Sequence, residues 1–94
     1  MVTFNTQKVL KDMRGGEIKE NGKAVKIGDV VCDYLAMNRE NQALSYQLAK
    51  KFATDKKVEL KAEDVVFIKE TLAKSGLPAL TFGQIEEELE GTSK

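Results

Sequence analysis

The sequence predicts an α+β domain, mostly helical, with an N-terminal β-hairpin packed on about four short helices, and three observations carry that expectation. Asn21-Gly22 lies between Glu17-Ile18-Lys19-Glu20 and Lys23-Ala24-Val25, the form of two strands joined by a type I′ turn whose central residues both need positive φ. Ile27, Val30, Val31, Tyr34 and Leu35 recur at helical spacing, as do Val65, Ile68 and Leu72. With 41% apolar and 32% charged residues, residues 1–94 read as a single small domain that can bury a modest core without disulfides or metals.

Taken in order, residues 1–16 have the least decisive pattern. Val2 and Phe4 alternate with polar neighbours as in a strand, whereas Val9-Leu10 fits either a strand or a turn of helix. Arg14-Gly15-Gly16 is a flexible break before the hairpin. A helix is expected over residues 27–37, ended by Asn38-Arg39-Glu40-Asn41, and a second over residues 40–54 with Ala43, Leu44, Leu48 and Phe52 as its apolar line. Lys50 and Lys51 in its last turn oppose the negative end of the helix dipole. Asp55-Lys56-Lys57 reads as a turn, and Val58-Glu59-Leu60 as a very short strand added to the hairpin. The third helix carries a complete set of signals: Leu60 and Val65 as a hydrophobic staple, Asp64 at N3, Val66 and Phe67 widening the stripe, and Gly76 as the left-handed stop. Leu77-Pro78-Ala79-Leu80 is an extended connector. Thr81-Phe82-Gly83-Gln84 has the form of a capping box opening a last helix through about Leu89, and residues 91–94 read as a frayed tail.

Three of these helix starts share one order: an apolar residue, a cap, two further residues, Asp or Gln, then an apolar residue. Val25 to Val30, Leu60 to Val65 and Leu80 to Ile85 all follow it. Lys26 and Lys61 stand at the cap in two of them, so N3 and the staple must supply most of the start signal there.

The chemistry available is narrow. Histidine is absent, which removes the commonest general base and metal ligand and any Ser-His-Asp or Cys-His arrangement. Cys32 has Asp33 beside it to disfavour the thiolate and reads as a packed core thiol. Asp55 to Val66 superficially resembles a calcium loop, but Lys57, Leu60 and Val66 occupy its third, sixth and twelfth positions, where ligands and a glycine are required. No catalytic residue, cofactor site or metal site is therefore expected, and the chain is read as no enzyme. Two charge clusters remain. Lys50, Lys51, Lys56, Lys57 and Lys61 could line a phosphate-binding face with Phe52 as a stacking ring, although Phe52 continues the Leu44-Leu48 stripe. Glu86, Glu87, Glu88 and Glu90 could form a partner-docking patch or a solvated face. Met1, Met13 and Met37 are too scattered to make a binding stripe.

Fifteen basic residues balance fifteen acidic ones, so net charge gives no general drive toward nucleic acid or an anionic membrane. The excess is basic in residues 1–27 and acidic in residues 61–94, which suits head-to-tail or partner contacts. No run approaches the roughly 18 apolar residues of a membrane span. With a single cysteine and no secretory signal, the expected setting is reducing and cytoplasmic.

Asn21-Gly22, Ile27-Gly28-Asp29, Tyr46 to Lys51, Val58-Glu59-Leu60, Glu63-Asp64-Val65, Ile68-Lys69, Leu80, Gly83-Gln84 and Leu89-Glu90, in that order, resemble a group of small proteins from tailed bacteriophages and prophages to which no activity is assigned. The resemblance covers residues 18–90, leaves the first 17 residues unmatched, and departs from the group's pattern at Lys26 and Lys61, where the group is expected to have Thr or Ser. It implies a phage or prophage protein working in the host bacterial cytoplasm or associated with the virion. The expectation that follows is a non-enzymatic accessory or assembly protein acting through protein–protein binding, homo-oligomerisation included. The alternative is a nucleic-acid or nucleotide-binding regulator using the lysines of residues 50–61.

Overall fold

A computed structural model describes residues 2–91, and the tail expected at residues 91–94 lies, apart from Gly91, outside the described residues. The elements run β1 (Val2–Asn5), β2 (Lys19–Glu20), β3 (Lys23–Ala24), α1 (Ile27–Met37), α2 (Gln42–Thr54), β4 (Lys57–Leu60), α3 (Ala62–Lys74) and α4 (Ala79–Leu89). The fold is α+β and mostly helical, with one antiparallel sheet of β1 and β4 and a separate hairpin of β2 and β3.

The hairpin turns where expected: Asn21 has φ of 51° and Gly22 of 79°, the pair of positive angles a type I′ turn requires. Residues 8–11 run extended beside it, which decides between the two readings of Val9-Leu10. Leu10 N–H donates to Val25 O (2.7 Å) and Leu10 O accepts from Ile18 N–H (3.0 Å), so one residue engages both arms. Leu10 is buried; the strand residues Lys19, Glu20 and Lys23 are exposed.

β4 forms, but the expectation that it extends the hairpin is wrong. It pairs with β1 in the register Val2↔Leu60, Phe4↔Val58, Asn5↔Lys57. Phe4, Val58 and Leu60 are buried and share the inward face of that sheet, so pairing β4 with β1 places three large apolar groups on one side. The hairpin had no such face to offer, and residues 8–11 already occupy its flank.

The core joins that face to one stripe from each helix: Ile27, Val31 and Leu35 from α1, Leu48 and Phe52 from α2, Ile68 and Leu72 from α3, Ile85 and Leu89 from α4. Gly28 is buried because α1 crosses the end of β1 there. A Cβ at residue 28 would run into the Thr6 side chain and lie 2.6 Å from the Thr6 carbonyl oxygen. Thr6 is itself buried, with its hydroxyl shared between Asp55 O (2.8 Å) and Lys56 O (2.9 Å).

Helix starts divide by how local their signals are. At α3 the Lys61 N–H donates to Asp64 Oδ2 (3.1 Å), Leu60 is fully buried, and Gly76 has φ of 79°, as predicted. Val66 departs from expectation, being 53% exposed, because it lies about 200° around the helix from Ile68. At α1 the Lys26 cap forms without any side-chain cap bond. At α2 the helix begins at Gln42 after Asn41 takes a left-handed conformation, and its buried line is Ser45, Leu48, Ala49 and Phe52, with Ala43 exposed. Small Ser45 and Ala49 face α1: Asn38 Nδ2 donates to Ser45 Oγ (2.7 Å), and Cys32 Sγ–H to Ala49 O (3.4 Å).

α4 corrects the third copy of the start device. The helix begins after Pro78, two residues before Thr81, and Gln84 does not cap it. The Gln84 amide reaches across to Lys11 instead, its Oε1 accepting from Lys11 N–H (3.0 Å) and its Nε2 donating to Lys11 O (2.6 Å). An amide side chain matches the donor and acceptor of an extended backbone residue, and a free main-chain pair 73 residues away outcompetes the helix end.

Candidate functional site

The five lysines expected to form a basic face are all exposed, but the fold interleaves them with carboxylates. Lys51, Lys57 and Lys61 surround a depression of about 360 Å³ at the outer side of β4, together with Asp55, Glu59 and Asp64. Lys50 points elsewhere, its Nζ 5.7 Å from the centre of the Tyr46 ring, a cation–π contact. Lys56 is held by its backbone under Thr6. Phe52 is buried edge-on against Phe4, ring centres 5.0 Å apart at 75°, so this ring is not available to stack on a base.

The four glutamates do not share one role. Glu88 is drawn inward: its Oε2 accepts from Asn5 N–H (3.0 Å) and its Oε1 from Lys8 Nζ (3.3 Å), with the side chain only 13% exposed. Glu90 accepts from Lys69 Nζ at 2.7 Å. Glu86 is half-buried and Glu87 exposed. Glu88 and Gln84 together fasten residues 5–11 to α4, so the basic N-terminal third and the acidic C-terminal third of the chain are packed against each other rather than presented at opposite poles.

Cys32 is half-buried. Burial, then the Asp33 and Asp29 carboxylates, push its pKa above the ordinary thiol value of 9.0, so the sulfur stays protonated and unreactive at neutral pH. It lies on the wall of a depression of about 780 Å³ between the hairpin and α1, where Lys23 and Lys26 meet Glu20, Asp29 and Asp33. Lys26 Nζ is already bonded to Gln7 Oε1 at 2.8 Å. Opposite charges alternate around this rim, with no concentration of one sign to select a ligand.

A feature the sequence reading passed over lies where α1 ends and α2 begins. Met37 is 65% and Tyr46 is 64% exposed, on either side of Asn38. Depressions of about 230 Å³ and 400 Å³ flank that residue, the first reaching Tyr34 and Met37, the second Ala36 and Tyr46. Asn38 fixes the connecting turn by donating to Glu40 O (2.7 Å) and to Ser45 Oγ, and the Lys74–Glu40 pair (3.2 Å) ties the turn to α3. The result is a hydrogen-bonded end carrying an exposed thioether and a phenol, with a second tyrosine half-buried beside them. Helical periodicity could have flagged Tyr46, which sits off the buried line of its helix.

Among the described residues no group of three His, Cys, Asp or Glu side chains is placed to hold a metal ion, and no helix is long and apolar enough to cross a membrane. Comparison with protein families, with curated proteins and with solved structures finds no match.

Proposed function

We propose that this chain is a non-enzymatic accessory or assembly protein, of a phage or prophage, that acts inside the bacterium by binding another protein through the end formed by α1 and α2. The observation that carries the reading is the exposure of Met37, the last residue of α1, and of Tyr46 in α2, on either side of the connecting turn that Asn38 hydrogen-bonds. Tyrosine and methionine are enriched at interface cores, because each offers a large contact area with few polar atoms to desolvate. A pre-ordered turn also lowers the entropy lost when a partner docks. The bacterial setting is supported by the resemblance of residues 18–90 to small phage proteins.

The test is photo-cross-linking in bacterial cells from residue 37 or residue 46, with residue 63 on α3 as the control. The reading expects a discrete adduct from the first two positions that disappears in a Met37→Ser/Tyr46→Ser variant of unchanged fold. Equal adducts from all three positions, or none, would overturn it.

A further inference from the structure

β4 has one edge against β1 and one edge open. Thr6 N–H donates to Lys56 O (2.9 Å), one step beyond the Asn5↔Lys57 pair. Bonded and non-bonded pairs alternate along an antiparallel ladder, so Phe4↔Val58 and Val2↔Leu60 are the bonded pairs. The backbone groups of Thr3, Asn5, Lys57 and Glu59 then point away from the partner strand. Asn5 confirms the parity, since its N–H reaches outward to Glu88. On the β4 side no described residue takes that role: the outward N–H and C=O of Lys57 and Glu59 have no protein partner, and the depression of about 360 Å³ lies beside them. A free edge of this kind is a template for strand addition.

The charges along it say which strand fits. Asp55, Lys57, Glu59 and Lys61 alternate in sign at a spacing of two, the period that places side chains on one face of a strand. Lys57 and Glu59 are exposed while Val58 and Leu60 are buried. Consider a second β4 laid antiparallel on the first. Only registers that set odd residues against odd residues bring the outward backbone groups together. Of the registers that keep these groups paired, the one centred on Lys57 and the one centred on Glu59 each set like charges opposite one another. The register centred on Val58 sets Lys57 against Glu59 on both sides of a two-fold axis, with Asp55 and Lys61, the caps of α2 and α3, beyond the ends of the strand. Of these three registers it alone is complementary, and it is the one in which both Lys57–Glu59 pairs exchange their N–H···O bonds.

We propose that the occupant of this edge is a second copy of the same chain, forming a symmetric dimer with a four-stranded sheet in the order β1, β4, β4, β1. The surface is separate from the Met37–Tyr46 end, and the proposal stands or falls independently of the reading made there. A lysine on an edge strand can also serve to discourage pairing. Here it faces a glutamate at the one position where pairing places it, so its charge selects a register. The contact is small for a protein interface, so association is expected to be weak and concentration-dependent.

Sedimentation equilibrium of the full chain at about 10 μM to 1 mM, low salt, tests this. The wild type is expected to dimerise. Lys57→Glu and Glu59→Lys, each placing like charges across both pairs, are expected to weaken the dimer about tenfold or more, and the double exchange Lys57→Glu/Glu59→Lys to restore it. Both residues are exposed, and circular dichroism checks that each variant is folded. A wild type that stays monomeric at the highest concentration, or a dimer that both single exchanges leave unchanged, would overturn the proposal. Met37→Ser/Tyr46→Ser is expected to leave the dimer intact, and its loss in that variant would place the contact at the other surface.

Discussion

β2 and β3 meet across the two residues Asn21 and Gly22, whereas β1 and β4 meet only after the hairpin, α1 and α2 have been laid down between them. The first pair is specified by its own turn and exposes most of its residues to water. The second has no turn, is closed by Phe4, Val58 and Leu60 fitting into the core, and is locked at its end by Thr6 against Asp55 and Lys56. Local chemistry therefore suffices to form a hairpin but leaves it marginal to stability. The non-local pair depends on the rest of the fold, and the rest of the fold depends on it.

Substitutions should separate the two pairs clearly. Phe4→Ala removes a fully buried ring and its edge contact with Phe52, and is expected to cost about 3–5 kcal/mol in urea unfolding. Gly28→Ala forces a methyl group into Thr6 where α1 crosses the end of β1, with an expected cost of about 1–3 kcal/mol. Asn21→Ala at the hairpin turn should cost only about 1 kcal/mol, the penalty for alanine at positive φ. A hairpin variant as damaging as Phe4→Ala would erase the distinction between the pairs.

The smallest effect concerns Cys32, beneath the hairpin. Its pKa is higher folded than unfolded, so raising the pH above 9.0 ionises the unfolded thiol first and favours unfolding. Stability attributable to the thiol is thus complete below 9.0 and declines as pH rises through the folded value. The urea midpoint should fall more steeply with alkaline pH in the wild type than in Cys32→Ala. Iodoacetamide labelling at neutral pH should be slow in the native protein and faster once Asn21→Ala loosens the hairpin.

What the sequence made legible follows the same division. The hairpin, the bounds of α1 and the start and stop of α3 depend on residues within a turn or two of each other, and they were readable from turn chemistry, spacing and the Asp64 box. The partner of β4 was not, because nothing near Val58 distinguishes β1 from the hairpin as a neighbour. Gln84 and Glu88 were misread for the same reason: each looked like a helix-end or surface residue until the fold brought Lys11 and Asn5 to it. The α2 stripe was rotated because Ser45 and Ala49 face α1 as small residues, a role hydropathy does not mark. Of the candidate site, the lysines were visible as charges, but their interleaving with Asp55, Glu59 and Asp64 in space was not. The alternation of Asp55, Lys57, Glu59 and Lys61 is plain in the sequence, but which of their backbone groups face outward follows only from the pairing of β4 with β1.

Native-state hydrogen exchange on a dilute sample tests the central contrast most directly. The amides of Phe4 and Val58 should exchange only through global unfolding, those of Glu20 and Lys23 through a much cheaper local opening, and those of Lys57 and Glu59, pointing outward from β4, faster still. Hairpin amides as protected as Phe4, or Lys57 and Glu59 amides protected at low concentration, would contradict the account.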